Sequence, residues 1–174
     1  MLGSQAASID YETQFKRMVD GGAIDTIVIP NGLTNIRGNA FANVLMSHVV
    51  IPSSVTNIGN NAFMGCANLQ EIEIPNSVTT LGSWVFSNCS QLGKVVIGEN
   101  VGFLYSGLLN NIKNNAIVIL RSSTPYSVAN DTFNSWGRVD YVYVPDESVE
   151  TYKTTNIWNN IASKIKPISE YVES

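Results

Sequence analysis

The sequence predicts an α/β solenoid, a stack of near-identical coils with short parallel strands, and three observations carry that prediction. An Ile-Pro pair recurs as Ile29-Pro30, Ile51-Pro52 and Ile74-Pro75, spaced by 22 and then 23 residues; another 23 reaches Ile97-Gly98 and 22 more reaches Ile119-Leu120. Apolar residues fall in columns when the segments are aligned on those pairs. One column runs Ile27, Val49, Ile72, Val95, Ile117, and a second runs Leu33, Val55, Val78, Val101. Others are Ile36, Ile58, Leu81, Leu104, then Phe41, Phe63, Phe86, Leu109, then Val44, Cys66, Cys89, Ile112. A single coil cannot bury its own apolar face, so each column must point inward and be closed by the coils above and below.

The stretch Leu69–Leu92, LQEIEIPNSVTTLGSWVFSNCSQL, shows how one coil is built. In EIEIP the alternation has period two, which directs Ile72 and Ile74 to the core and Glu71 and Glu73 outward. The β-branched residues suit a strand, and the proline ends it by removing a backbone donor. VTTLG reads as a second short strand closed by a bend at Gly82. SWVFSNC and NNAFMGC are too short for a stable helix and read as helical turns that press Phe86 and Phe63 inward. A fixed period of about 20–29 residues with such columns marks a leucine-rich repeat.

IPSSVTNIGNNAFMGCANL and IPNSVTTLGSWVFSNCSQL resemble the BspA-like leucine-rich repeats, whose pattern is IPxxVTxIGxxAFxxCxxL. The resemblance covers Ile24 to Leu92 well and the fourth coil only through its apolar columns. The tail YVYVPDESVETYKTTNIWNNIASKIKPISEY also resembles the closing segment of many such proteins. The resemblance implies a right-handed solenoid and a non-enzymatic surface or adhesion module of bacteria and of the phages that infect them. It supplies no catalytic residues to carry over.

In chain order, residues 1–8 have no pattern. A short helix is predicted from Asp10, with Tyr11, Phe15, Met18 and Val19 on one face and Gly21-Gly22 at its end. Before the first coil it serves either as a cap on the open core or as a docking element for a larger assembly. Four coils run from Ala23 to about Asn115, within a solenoid of five or six. Ile117–Leu120 is a further strand, followed by a loop with Tyr126, Phe133 and Trp136. Tyr141–Val144 is a strand ended by Pro145; Asp146 is placed to cap a helix carrying Val149 and Tyr152. Trp158 and Ile161 follow in a turn-rich stretch, with a last strand at Ile165–Ile168. The expected organisation is a tail and capping helix over 1–22, the solenoid over 23–140, and a mixed C-terminal cap over 141–174.

Composition bounds the function. The 174 residues are 44% hydrophobic and only 14% charged, with net charge −4 and pI near 4.9. An acidic chain without a basic stripe argues against nucleic acid. No apolar run approaches the ~18 residues of a membrane span. MLGSQAASIDYE lacks the basic flank and apolar core of a secretory leader. Two settings fit: a leader already removed, or assembly inside a cell and release with a larger particle. Cys66 and Cys89 share a column and stack on adjacent coils, near enough for a disulfide. Because Val44 and Ile112 fill the same column, the expectation is two buried free thiols.

Candidate chemical sites are few. His48 is the only histidine and points outward while Cys66 points inward, which separates the partners that nucleophilic catalysis would need. Metal binding has no cluster behind it, and the glycines fall at bends without forming a phosphate loop. No cofactor is expected. Glu71 and Glu73 share a strand face about 6.5–7 Å apart, a spacing seen in glycosidase pairs, but a solvated strand face explains them as well. More informative is the outward stripe of the main sheet: Val28, Val50, Glu73, Val96, Val118 and Tyr143, flanked by Thr26, His48, Glu71, Lys94, Ala116 and Tyr141. Such an apolar stripe is either strand propensity alone or a contact surface. The function expected is a binding module, at the cell surface or outside the cell, that presents this sheet to a protein or glycan. The alternative is a structural subunit of a phage virion (tail, baseplate or head surface) docked through its N-terminal segment against neighbouring subunits.

Overall fold

A computed structural model describes residues 24–173. The expected helix with Tyr11, Phe15, Met18 and Val19, and the 1–22 segment as a whole, lie outside the described residues. Each of the first five coils contributes a longer strand and a two-residue strand, and two longer strands follow. The longer ones are β1 (Ile24–Val28), β3 (Met46–Val50), β5 (Glu71–Ile74), β7 (Lys94–Ile97), β9 (Ala116–Leu120) and β11 (Val139–Val144), with β12 (Ile165–Pro167) last. The short ones are β2 (Asn35–Ile36), β4 (Asn57–Ile58), β6 (Thr80–Leu81), β8 (Phe103–Leu104) and β10 (Ser127–Val128). All pairings are parallel, as stacked coils require. The main face is built from a five-stranded sheet, β5-β7-β9-β11-β12, and a separate β1-β3 pair stacked beside β5, the two joined where Gln70 N–H donates to Ser47 O at 3.0 Å; together they are called the main sheet below.

Inward columns are buried as the repeat predicts, except Leu33, which is half-buried, and Ile117, whose strand is shifted in register. Ile72 pairs with Val95, Ile58 with Leu81, and all four are at most 2% exposed. Phe41, Phe63 and Phe86 stack with centroids 5.2 and 5.9 Å apart and ring planes 3° and 17° from parallel. That spacing is set by the coil rise, since parallel strands lie about 4.8 Å apart. The phenylalanine arcs are not helical turns. They are strings of tight turns, Ala62 N to Gly59 O, Met64 N to Asn61 O and Cys66 N to Phe63 O. Left-handed residues on each side of the phenylalanine prevent a helix: Asn61 (φ 58°) and Gly65 (φ 73°) in this coil. Asparagine and glycine are the residues that take that backbone at least cost.

Glycine also marks the close approach of coils beside the second sheet. Gly59 N–H donates to Ile36 O and Gly82 N–H to Ile58 O, both at 2.8 Å. A Cβ on Gly59 would meet Gly38 N at 2.5 Å, and one on Gly82 would meet Asn60 N at 2.6 Å. The next coil has Tyr105 at this position. At this coil the second sheet divides, with β2-β4-β6 in one sheet and β8 paired with β10 in another.

The register of β9 differs from the sequence reading. Ile97 pairs with Leu120, 23 residues on, rather than with Ile119. Val118 therefore faces the core and is fully buried, as is Ala116, while Ile117 and Ile119 take the outward places. AIVIL is apolar at every position, so its alternation carries no phase, and a one-residue slip exchanges the faces of the whole strand.

After β11 the chain closes around aromatic rings. Trp158 packs edge-on against Phe133 (4.8 Å), Tyr152 (4.9 Å) and Trp136 (6.2 Å). Its Nε1–H donates to Tyr126 O at 2.9 Å, and Tyr152 O–H reaches Ser122 O and Thr124 O, each at 3.0 Å. Burial pushes the Tyr126 hydroxyl up to about 12. The helix α1 (Val149–Thr154) carries buried Tyr152, but Asp146 does not cap it. The Asp146 carboxylate instead accepts the Ser169 N–H at 3.0 Å, which holds its pKa below the usual carboxylate value.

Candidate functional site

Parallel pairing aligns the outward residues of the main sheet into two rows. One runs Val28, Val50, Glu73, Val96, Ile119, Tyr143, and the other Thr26, His48, Glu71, Lys94, Ile117, Tyr141. Val118 and Ala116, expected on this face, lie beneath it for the register reason given above. The remaining predicted face residues are brought together on the outward side, yet they are not equally accessible. Val28 is 65% exposed and Val50 51%, whereas Val96, Ile119 and Tyr143 are 6%, 6% and 9%.

The covering group is the chain's own C-terminal end. Tyr171 packs its ring 5.2 Å from that of Tyr143, and Val96, Ile119, Tyr143, Ile117 and Tyr171 form an apolar cluster separate from the main core. Glu173 places Oε1 2.6 Å from Lys94 Nζ, which also sits 3.9 Å from Glu71 and 5.6 Å from the Tyr171 ring centroid. The hydrogen bond to Glu173 raises the Lys94 pKa, and the same bond lowers that of Glu173. Farther along, Arg121 pairs with Glu73 at 2.8 Å, Lys166 lies over the Tyr141 ring at 5.0 Å, and His48 Nδ1 is 3.7 Å from Asp25. Two hollows, of about 700 and 590 Å³, flank Glu173; His48, Glu71 and Lys94 line both, and the second reaches Val50.

This arrangement suits recognition. Glu71 and Glu73 are exposed on an open strand face, and each faces a cation. The His48 side chain is on the outward face of β3, and Cys66 is fully buried within. Among the described residues no three His, Cys, Asp or Glu side chains gather where a metal could bind. Both cysteines are free; Cys66 Sγ donates to Phe41 O and Cys89 Sγ to Phe63 O, each at 3.1 Å. The contact with Cys89, together with burial, pushes the Cys66 thiol far up.

Sequence reasoning missed Ile117, Ile119, Tyr171 and Glu173 as members of this surface. The 23-residue spacing continued past Ile97 would have placed the two isoleucines, but Tyr171 and Glu173 lie beyond the repeats and carry no phase. It also missed Trp84, which is 45% exposed with φ 59°, a backbone that a bulky residue rarely takes. Asn39, Asn61 and Gly107 occupy its place in the other coils, and the Trp84 ring fills the space where a Gly107 Cβ would stand.

Comparison with known proteins agrees with this architecture. The BspA type leucine rich repeat region, in six copies, matches residues 18–137. No curated protein sequence matches the chain. Among solved structures, the pneumococcal vaccine antigen PcpA superposes with a TM-score of 0.66 at 25% identity, over 82% of this chain and 34% of that one. The chain thus spans about a third of the length of that relative. A leucine rich cell surface protein from Faecalibacterium prausnitzii A2-165 gives a TM-score of 0.43 at 17% identity, over 72% of this chain and 55% of the other. By its repeat, its parallel stacked coils and the extent of the match, the chain belongs to the BspA-type leucine-rich repeat family.

Proposed function

We propose that the protein is a non-enzymatic recognition module of the bacterial cell-surface type, and that it binds a protein partner through the open half of the main sheet's outward face. One observation carries the reading. Val28 and Val50 stand side by side on paired strands, both more than half exposed. Exposed apolar neighbours rimmed by polar groups are the usual mark of an interaction site. His48, Asp25 and Glu73 supply that rim. Family membership and the likeness to PcpA support the class of function, while the target is read from this face alone.

The test is adsorption of fluorescently labelled protein to cultured epithelial cells, with Val28→Lys and Val50→Lys as variants and circular dichroism as the fold control. Either substitution is expected to cut adsorption by roughly tenfold or more, because a charge placed in a desolvated interface costs several kcal/mol. Protease treatment of the cells should abolish adsorption, and glycosidase treatment should leave it. Unchanged adsorption by both folded variants would overturn the reading; loss on glycosidase treatment alone would move the partner from protein to glycan.

A further inference from the structure

We infer that the main sheet's outward face is a peptide-docking face occupied in cis at its C-terminal half by Tyr171–Glu173, and that it accepts extended partner segments of the same chemistry, an aromatic residue followed two positions later by a carboxylate. This deepens the proposed use of that face and names what it recognises.

The bound segment shows the chemistry. Tyr171 has an extended backbone (φ −74°, ψ 124°). Its ring lies on the apolar cluster, Val172 is 82% exposed, and the Glu173 carboxylate returns to Lys94. Side chains that alternate toward and away from a surface are the signature of an extended chain laid upon it. Val96, Ile119 and Tyr143 are outward residues that are nonetheless buried, so the segment desolvates an apolar patch. Lys94 then selects an acidic group at one fixed distance from it.

The occupant is built to be exchanged. It contacts the sheet through side chains; Tyr171 N–H bonds only to Ile168 O of its own turn, and Ser169 N–H on the Asp146 carboxylate ties that turn to the rest of the fold. Glu173 is solvent-exposed in its ion pair, and exposed pairs contribute little stability. What favours the intramolecular occupant is its tether, which holds it at an effective concentration of about millimolar order. The hollow beyond Glu173 leads past Lys94 to Val50. A longer partner segment could therefore occupy the covered half and extend into the open one, gaining contacts the tethered segment does not make.

The experiment uses a fluorescein-labelled peptide, ISEYVES, equal to residues 168–174, and fluorescence anisotropy. The full chain is compared with a chain ending at Glu170. The shortened chain should bind the peptide saturably and roughly tenfold or more tighter than the full chain, since the tethered competitor is gone. Replacing the peptide's tyrosine by alanine should abolish binding, and Lys94→Ala in the protein should weaken it by a few-fold. If shortening impairs folding by circular dichroism, the full-length Tyr171→Ala/Glu173→Gln variant takes its place. Equal binding by full and shortened chains, no binding to the folded shortened chain, or equal binding of a scrambled peptide would each overturn the inference. Peptide exchange is read without any cell-surface partner, so its failure leaves the Val50 adsorption result standing, and the reverse also holds.

Discussion

The two halves of the outward sheet face both carry apolar residues in one row at the same place in the repeat, yet one half is open and the other covered. Val50 and Val96 occupy equivalent positions, but the first is 51% exposed and the second 6%. The strands beneath them are parallel in both cases, Val50 on the β1-β3 pair and Val96 in the five-stranded sheet, and the difference comes from Tyr171 and Glu173, which lie outside the repeat. Position within a coil therefore decides which way a side chain points, and the flanking segments decide whether it meets water. A solenoid that looks uniform in sequence can thus present two distinct surfaces along one stripe.

The largest expected effect tests which residues belong to that stripe at all. Val118→Lys places a charge in the core beneath the face and should destabilise by at least about 3 kcal/mol. Val50→Lys, on the open half, should shift stability by no more than about 0.5 kcal/mol. Chemical denaturation of the two variants checks this. Comparable losses would mean that Val118 points outward after all and that the one-residue shift in β9 is wrong.

A smaller effect separates the halves by pH. Lys94 holds the Glu173 carboxyl below its ordinary value of 4.5. The contribution of this pair is therefore complete above 4.5 and is lost as pH falls through the folded value. Glu173 likewise holds Lys94 above 10.5, so that side of the pair persists until pH rises past it. The nuclear Overhauser contact between the Tyr171 and Tyr143 rings should weaken on acidification below 4.5, while strand contacts between Val28 and Val50 persist. An unchanged ring contact in acid would show that the apolar packing alone holds the segment.

Much of this was legible in the sequence because each coil repeats the same physical demands. Ile72, Leu81, Phe86 and Cys89 recur at fixed intervals and are buried together. Both thiols are free and buried, as their shared column with Val44 and Ile112 implied. Legibility failed where repetition failed. AIVIL has no polar partner to set its phase. Asp146 looks like a helix cap, yet a distant backbone donor, Ser169 N–H, claims its carboxylate. Tyr105 stands where Gly59 and Gly82 stood in the earlier coils, and the second sheet divides at that coil. The C-terminal segment was the least readable part of the site, because its partners are more than twenty-five residues away in sequence and belong to three different coils.

The division of the face can be measured directly by methyl NMR with a soluble paramagnetic probe, which broadens signals in proportion to their exposure. In the full chain, Val28 and Val50 methyls should broaden strongly, and those of Val96 and Ile119 should not. In the chain ending at Glu170, Val96 and Ile119 should broaden as Val50 does, with Val118 still protected. If Val96 and Ile119 broaden as strongly as Val50 in the full chain, the C-terminal segment does not cover the face and the account is wrong.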